Sequence, residues 1–420
     1  MLIAVSVTYD KLFCLMESKK MTSTTLMLQA NISGNIISRL RRNEYVSLET
    51  IENICRVFQC RIDDILEFHF LSNGQDLIKI NFSTPLTEIQ NRRYLGNKFK
   101  LLNFITKVVS EHCPYIKTVA DIFAGTGAVA SAFIEKIIIT NDLLYSNYLC
   151  NIAWFGNEKV RLRFMNGLIE EYNQRTTSIE NYMTENFSNT YFSKTDCAKI
   201  GMVREDIEQK YITGVINERE RAILVTSLIY GMDKIANTCG HYDAWRRGAT
   251  FERQLVLPIL NIPVRNNKNN RCFNENANDL VRHISADLIY IDPPYNSRQY
   301  SDTYHLLENV ANWQKTAVYG VARKMNRENL KSDYCTIRAT TAFEDLIKHC
   351  HSRYILLSYN NMANKGDARS NARIADEDIL RILNAKGDVK VFTKKYKPFN
   401  AGQSDIRENE ERLFLCTVRK

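Results

Sequence analysis

Asp287-Leu-Ile-Tyr-Ile-Asp-Pro-Pro-Tyr-Asn296 is an apolar run that stops abruptly at Asp292-Pro293-Pro294-Tyr295. The run reads as a buried strand. Each proline removes a backbone donor and fixes φ, so the ladder ends there and presents Asp292 and Tyr295 at the carboxyl end of the strand. In open α/β sheets that end is where ligands sit. A carboxylate next to the outward carbonyl of Pro293 and an aromatic face suits a planar amine: Asp292 and the carbonyl accept its hydrogens while Tyr295 stacks on the ring. An adenine base has both features. Taken alone, the tetrapeptide also reads as a plain turn.

Working outward, Val119-Ala120 leads into Asp121-Ile-Phe-Ala-Gly-Thr-Gly127 and a small-residue helix from Ala128 to Phe133. This is a strand, a glycine turn and a helix, and glycines let backbone approach a ligand closely. Neither the dinucleotide fingerprint nor the phosphate-binding loop is present, since a third spaced glycine and a Gly-Lys-Ser/Thr are both missing. Ile137-Ile-Ile-Thr-Asn-Asp142 is a second apolar strand ending in a carboxylate, placed either for a ribose hydroxyl pair or as a helix cap. Tyr354 to Asn361, Val389 to Phe392 and Arg412 to Val418 read as further strands.

The chain has 420 residues, 45% of them apolar, enough for two or three domains, and its net charge of +9 fits a polyanionic partner without requiring one. Eleven cysteines occur without a Cys-x-x-Cys pair, and His349-Cys350-His351 is too compact to close a tetrahedral site, so free thiols and no metal are expected. The apolar start, Met1 to Val7, lacks the basic leader of a signal peptide, and no segment has the apolar length of a membrane span. A soluble cytoplasmic protein is expected.

Residues 8–68 carry a helical pattern: Leu12, Leu15 and Met16, then Thr22 as an N-cap and a short helix. Ser33 caps a helix that turns Ile36, Ile37 and Leu40 inward and shows Asn35, Ser38, Arg39 and Arg42. Two more helices are expected around Leu48 to Phe58 and Ile62 to Leu66. This order resembles a Cro/lambda-repressor type helix-turn-helix domain, with Ser33 to Arg42 as its recognition helix; a docking bundle is the bland alternative. Residues 1–70 are taken as that domain and 71–90 as a linker.

Asp-x-Phe-x-Gly-x-Gly, a strand-end acid and a distant Asp-Pro-Pro-Tyr together resemble the S-adenosylmethionine-dependent adenine-specific DNA methyltransferases, in the motif order of the alpha group (Dam-, FokI- and NlaIII-type). Arg93-Tyr-Leu-Gly-Asn-Lys98 fits the upstream cofactor motif of that family. The resemblance implies a Rossmann-like α/β sheet formed by residues 91–150 and 276–420, with 151–275 inserted as a target-recognition region. It implies catalysis by Asp292, Pro293 and Tyr295, and cofactor contacts from Tyr94, Lys98, Asp121, Phe123, Gly125, Gly127 and Asp142. Asn276 stands where the family often has an acidic contact to the cofactor adenine, with Asp279 as a substitute. In Asn237 to Arg247, the residues His241, Tyr242, Trp245, Arg246 and Arg247 are expected on DNA, as is Arg298; the two aromatics would otherwise anchor a surface loop. Duplex DNA is the implied partner, with a restriction nuclease as a companion and a monomer or homodimer as the assembly. The competing readings are an RNA adenine methyltransferase and a transcription regulator with a spent catalytic domain.

Overall fold

The structure is a computed structural model that describes residues 4–19, 21–71, 77–78, 89–92, 94–238, 240–263, 267, 269–295, 297–360, 374–395 and 410–419. Arg93, Asn296, Asn361 and the turn motifs expected at 72–74 and 84–85 lie outside the described residues. The chain divides into two compact units, Met1–Leu86 and Thr87–Lys420.

In the first unit, helices Asp10–Ser18, Ser23–Ala30, Gly34–Arg41 and Leu48–Phe58 follow the apolar spacing. Thr22 and Ser47 cap two of them by accepting from Thr25 N and Thr50 N, each at 3.2 Å. Leu12, Leu26, Ile37, Leu40, Ile54 and Phe58 close one core. Two features differ from expectation. Ile62–Asp64 forms only a single 3₁₀ turn, with Asp64 accepting from Arg61 N at 2.8 Å, because the chain turns into a strand at Glu67. The helices are also flanked by a small sheet: β1 (Ala4–Thr8) pairs antiparallel with β2 (Glu67–Leu71), which pairs with β3 (Leu77–Ile78). Ala4 to Val7 of the apolar start and part of the expected linker are therefore strands. Short strands of this kind carry a weak signal in isolation, since they are stabilised by cross-strand pairing between segments far apart in sequence.

The second unit is built on a seven-stranded sheet in the order β6-β5-β4-β7-β8-β10-β9. Its strands are β4 (Thr118–Asp121), β5 (Ile137–Asn141), β6 (Arg271–Phe273), β7 (Ala286–Ile291), β8 (Ser352–Asn360), β9 (Gly387–Lys395) and β10 (Glu410–Val418). The first five run parallel, while β10 lies antiparallel between β8 and β9. Both faces are covered, which is why β5 and β7 read as continuous apolar runs. Side chains alternate between two cores: Val119, Leu288, Tyr290 and Leu356 enter one, Ala120, Ile289, Ile291 and Leu357 the other. The order reverses between β4 and β7, and both chemical motifs leave the sheet there.

Residues 151–275 contribute to the core of this unit. Helices Tyr145–Phe155, Lys194–Ile212 and Glu218–Ile235 share a core with the sheet, Trp154, Phe187, Tyr191 and Phe192 are fully buried, and Arg271–Phe273 is the edge strand β6. The aromatic content that suggested a DNA-facing segment is largely core.

Because Ile54 is fully buried in the core of the N-terminal unit, Ile54→Ala should destabilise it by ~2–5 kcal/mol. Hydrogen exchange should speed up in helices Ser23–Ala30 and Leu48–Phe58 and stay unchanged in β4 and β7.

Candidate active site

β4 and β7 lie side by side with Asp121 opposite Tyr290, so the turn after β4 and Asp292-Pro293-Pro294-Tyr295 open onto one cavity of about 340 Å³. The glycine turn is fixed by backbone geometry. Gly125 and Gly127 have φ of +52° and +82°, in the left-handed region that disfavours side chains. A Cβ on Gly127 would lie 2.8 Å from Asn151 Oδ1 and 2.9 Å from Phe155 Cε2, and one on Gly125 would lie 3.3 Å from the Tyr94 ring. The helix that follows is one turn long, Ala128–Ser131, shorter than the expected run to Phe133.

Asp142 braces this turn. Its Oδ2 accepts from Gly125 N at 2.8 Å, and Oδ1 accepts from Leu144 N at 2.9 Å and Asn147 Nδ2 at 3.1 Å. Both sequence readings of Asp142 therefore have a physical basis: it caps the local chain, and a carboxylate with about four acceptor sites still has one left for a ligand hydroxyl. Tyr94 lies under the turn, stacked on Tyr304 at 4.5 Å between ring centroids, with its hydroxyl accepting from Asn147 Nδ2 at 2.8 Å.

The Asp292 carboxylate is held by a residue expected to serve the cofactor. Lys98, only 4% exposed, places Nζ 2.9 Å from Asp292 Oδ1 and 3.4 Å from Glu411 Oε1, and lies 5.5 Å from the Tyr295 ring centroid. Glu411, on β10, accepts from Ser358 Oγ at 2.8 Å and Asn360 Nδ2 at 3.3 Å. Burial pushes the Asp292 carboxyl up to about 6, although Lys98 pulls it down. Burial, with Asp292 and Asp142 nearby, holds Asp121 well above the usual carboxylate range.

The far wall holds Phe123 edge-on to Tyr334 at 5.1 Å and the segment Glu275 to Asn278. Asn276 lines the cavity and caps the short helix Ala277–Leu280 by accepting from Asn278 N at 2.9 Å. Asp279 is exposed and is not among the cavity-lining residues, so it cannot substitute for an acidic contact there. Asp345 lines the same wall, accepting from Asn278 Nδ2 at 2.7 Å.

Sequence reasoning missed Glu411, Tyr300, Tyr304 and Asp345. A signal existed for two of them: Tyr300 and Tyr304 are one helical turn apart just after Asp-Pro-Pro-Tyr. Glu411 opens an apolar strand, where a carboxylate needs a partner when buried. Nothing local marked Asp345.

The expected DNA residues separate into two groups. Tyr242 is 2% exposed, with its hydroxyl donating to Asp233 Oδ1 at 2.7 Å, so burial removes it from any DNA-facing set. His305 donates from Nε2 to Tyr242 O at 2.8 Å, and burial keeps its imidazole neutral by pushing it down to about 4. Trp245 is half-buried and donates to Val321 O at 3.4 Å. These two aromatics anchor the loop. Arg246 and Arg247 are exposed beside them, while Arg298 contacts His241 Nε2 at 3.3 Å and Asp243 at 3.7 Å. In the N-terminal unit Asn35, Ser38 and Arg42 are exposed, and Glu44 pairs with both Arg39 and Arg42.

The residues present fit a nucleoside-bearing cofactor. A glycine cradle that any Cβ would fill lies beside an apolar and aromatic wall, and Asp121 Oδ1 and Ser301 Oγ are buried in the lining without a hydrogen-bond partner among the described residues.

A reversing parallel sheet with an antiparallel strand set between its last two, and a cavity at the reversal, defines a methyltransferase-type α/β fold. The chain belongs to the D12 class N6 adenine-specific DNA methyltransferases, whose family profile matches residues 94–369. Residues 11–70 match the Cro/C1-type HTH DNA-binding domain. Modification methylase LlaI of Lactococcus lactis subsp. lactis is 32% identical over 343 residues, covering 76% of this chain and 53% of that protein. Modification methylase StsI of Streptococcus sanguinis is 33% identical over 337 residues, covering 76% and 50%. Type II methyltransferase M.NlaIII of Neisseria lactamica is 30% identical over 330 residues, covering 76% and 95%. The chain thus spans about half the length of the first two relatives and nearly all of the third.

Gly127→Ala should be poorly tolerated, because its Cβ meets Asn151 and Phe155 and its φ is left-handed. We expect weaker binding of S-adenosylmethionine by calorimetry, whereas Gly167→Ala, which meets nothing within 4 Å, should bind as the wild type does.

Proposed function

We propose that this chain transfers a methyl group from S-adenosylmethionine to the exocyclic amine of an adenine turned out of duplex DNA, acting in the cytoplasm as the modification enzyme of a restriction-modification system. The observation that carries this reading is the single cavity shared by the glycine turn and the Asp292 carboxylate.

When bound, the cofactor supplies an electrophilic sulfonium methyl. The residues suited to hold it are Tyr94, Asp121, Phe123, Gly125, Gly127, Asp142 and Asn276. An amine needs no covalent nucleophile to attack such a methyl; it needs its lone pair freed from the ring and held in line, which is a matter of positioning and electrostatics. Asp292 and the Pro293 carbonyl accept the two amino hydrogens and so localise that lone pair. Tyr295 packs on the base. Lys98 neutralises and orients Asp292, a positioning role in place of the cofactor contact expected from sequence. A carboxyl pushed up to about 6 is also a suitable acceptor for the proton the nitrogen sheds. Extruding the base from the stack costs a few kcal/mol, offset by backbone contacts to exposed cations such as Arg246, Arg247 and Arg298.

Asp292→Asn should sharply reduce methyl transfer while leaving DNA binding intact, because a neutral amide oxygen is a weaker acceptor than a carboxylate and cannot take up the proton. The pH dependence follows from the raised carboxyl. Asp292 must be ionised to accept, so the single-turnover rate should climb as pH rises through about 6 and level off above it. Lys98→Met removes the cation that lowers Asp292 and should move the limb to higher pH. Asp292→Asn turnover near wild type, or a limb that stays put in Lys98→Met, contradicts the mechanism.

The N-terminal domain fits a second role, binding an operator-like site, plausibly at the protein's own promoter, through Asn35, Ser38, Arg39 and Arg42 with duplex DNA as partner. Deleting residues 1–70 should leave the methylated sequence unchanged and remove binding to that second site in a salt-dependent gel-shift assay. A deletion variant that methylates a different sequence would place target recognition in the helix-turn-helix instead.

A further inference from the structure

Two large apolar side chains, Tyr319 and Val321, are 67% and 71% exposed on one short hairpin beside the active cavity. The hairpin is closed by Tyr319 N donating to Lys324 O at 2.8 Å and Lys324 N donating to Tyr319 O at 2.9 Å, with Arg323 N to Gly320 O at 3.2 Å inside the turn. Gly320 and Arg323 take φ of +70° and +52°, which reverses the chain tightly.

This tip is stiffly braced although its side chains face solvent. Trp245 Nε1 donates to Val321 O at 3.4 Å, and the buried Tyr191 hydroxyl donates to Ala322 O at 2.9 Å. At its base, Lys324 Nζ contacts Asp243 Oδ1 at 2.9 Å, and Arg327 Nε contacts Asp302 Oδ1 at 2.7 Å. Asp302 belongs to the short helix Tyr300–Thr303, whose Tyr300 and Ser301 line the cavity, and Thr303 O accepts from Tyr242 N at 2.8 Å. The hairpin, the 237–247 loop and the wall of the cavity are thus one block. Arg323 is exposed within the turn, and Arg247 is exposed two residues beyond Trp245, which holds Val321, cations that suit a phosphate backbone next to an apolar insertion.

Resting on the methyltransferase reading above, we infer that the Tyr319–Lys324 hairpin enters the duplex, with Tyr319 and Val321 occupying the stack in the space the extruded adenine leaves. The occupant of this surface is DNA opened at one base pair. An apolar side chain there compensates for lost stacking only while the base is out, so the tip acts on the extrusion equilibrium and not on transfer itself.

The test uses the full chain and a duplex carrying the site mapped by sequencing modified DNA. Single-turnover methylation is measured for wild type, Val321→Ser and the double change Tyr319→Ser with Val321→Ser, on paired duplex and on the same duplex with an abasic position opposite the target adenine. Because pairing and stacking amount to a few kcal/mol, the serine variants should lose on the order of 10- to 100-fold on paired DNA. They should regain near wild-type rates on the abasic duplex, where no pair has to break. Equal loss on both substrates overturns the inference and makes the tip a general positioning element; no loss on either overturns it outright. Lost self-association in sedimentation with unchanged methylation assigns the tip to a contact between copies and also overturns it. Should wild type fail to methylate both duplexes, the methyltransferase reading falls, and the inference with it.

Discussion

One ammonium, Lys98 Nζ, lies between two buried carboxylates, Asp292 at 2.9 Å and Glu411 at 3.4 Å. Such a triad leaves a net negative charge in a desolvated place, which is why Asp292 sits high despite its cation. Removing the lysine would leave two carboxylates without a counter-charge, a change that typically costs ~3–5 kcal/mol when a buried pair is broken. The triad also ties together three distant parts of the chain: the segment before the 102–112 helix, the end of β7, and β10. The antiparallel strand at the far side of the sheet is therefore part of the active site through Glu411, held in turn by Ser358 and Asn360.

A second ion pair extends this arrangement toward the 237–247 loop. Arg92 lies over both Tyr94 and Tyr304, at 5.4 and 5.8 Å from their ring centroids, and pairs with Asp233 at 3.2 Å. Asp233 accepts from Tyr242, which anchors the 237–247 loop. The loop and the wall of the cavity thus share one ion pair, and the burial of Arg92 makes it intolerant of displacement. A shift in the loop would be felt at Tyr94 under the glycine turn. Rigid coupling of this kind suits a reaction in which a base must arrive at a carboxylate and a methyl donor at the same time.

Much of this was legible in the sequence, for identifiable reasons. Asp292-Pro293-Pro294-Tyr295 and Gly125 and Gly127 declare themselves because proline and glycine act on the backbone locally. The parallel strands do so because burial on both faces leaves them uniformly apolar. What the sequence concealed depends on contacts made across the chain. The sequence around Lys98 gave no sign that Glu411, more than three hundred positions away, lies on its other side. Tyr242 looked like a DNA contact because loop aromatics read alike whether they face water or Asp233. β1 was hidden because its partner, Glu67–Leu71, lies at the other end of the helical domain. The helices between β5 and β6 read as polar because their buried aromatics are interleaved with charged residues such as Arg204, Glu208 and Arg221, where Glu208 pairs with both arginines.

The most direct measurement is chemical identification of the product. The full-length protein would be incubated with methyl-labelled S-adenosylmethionine and mixed-sequence duplex DNA, the DNA digested to nucleosides, and the label located by mass spectrometry. The account predicts label on N6 of deoxyadenosine, at one short sequence context. Label on cytosine, label appearing only when RNA replaces DNA, or no incorporation by a protein that binds the cofactor would contradict it.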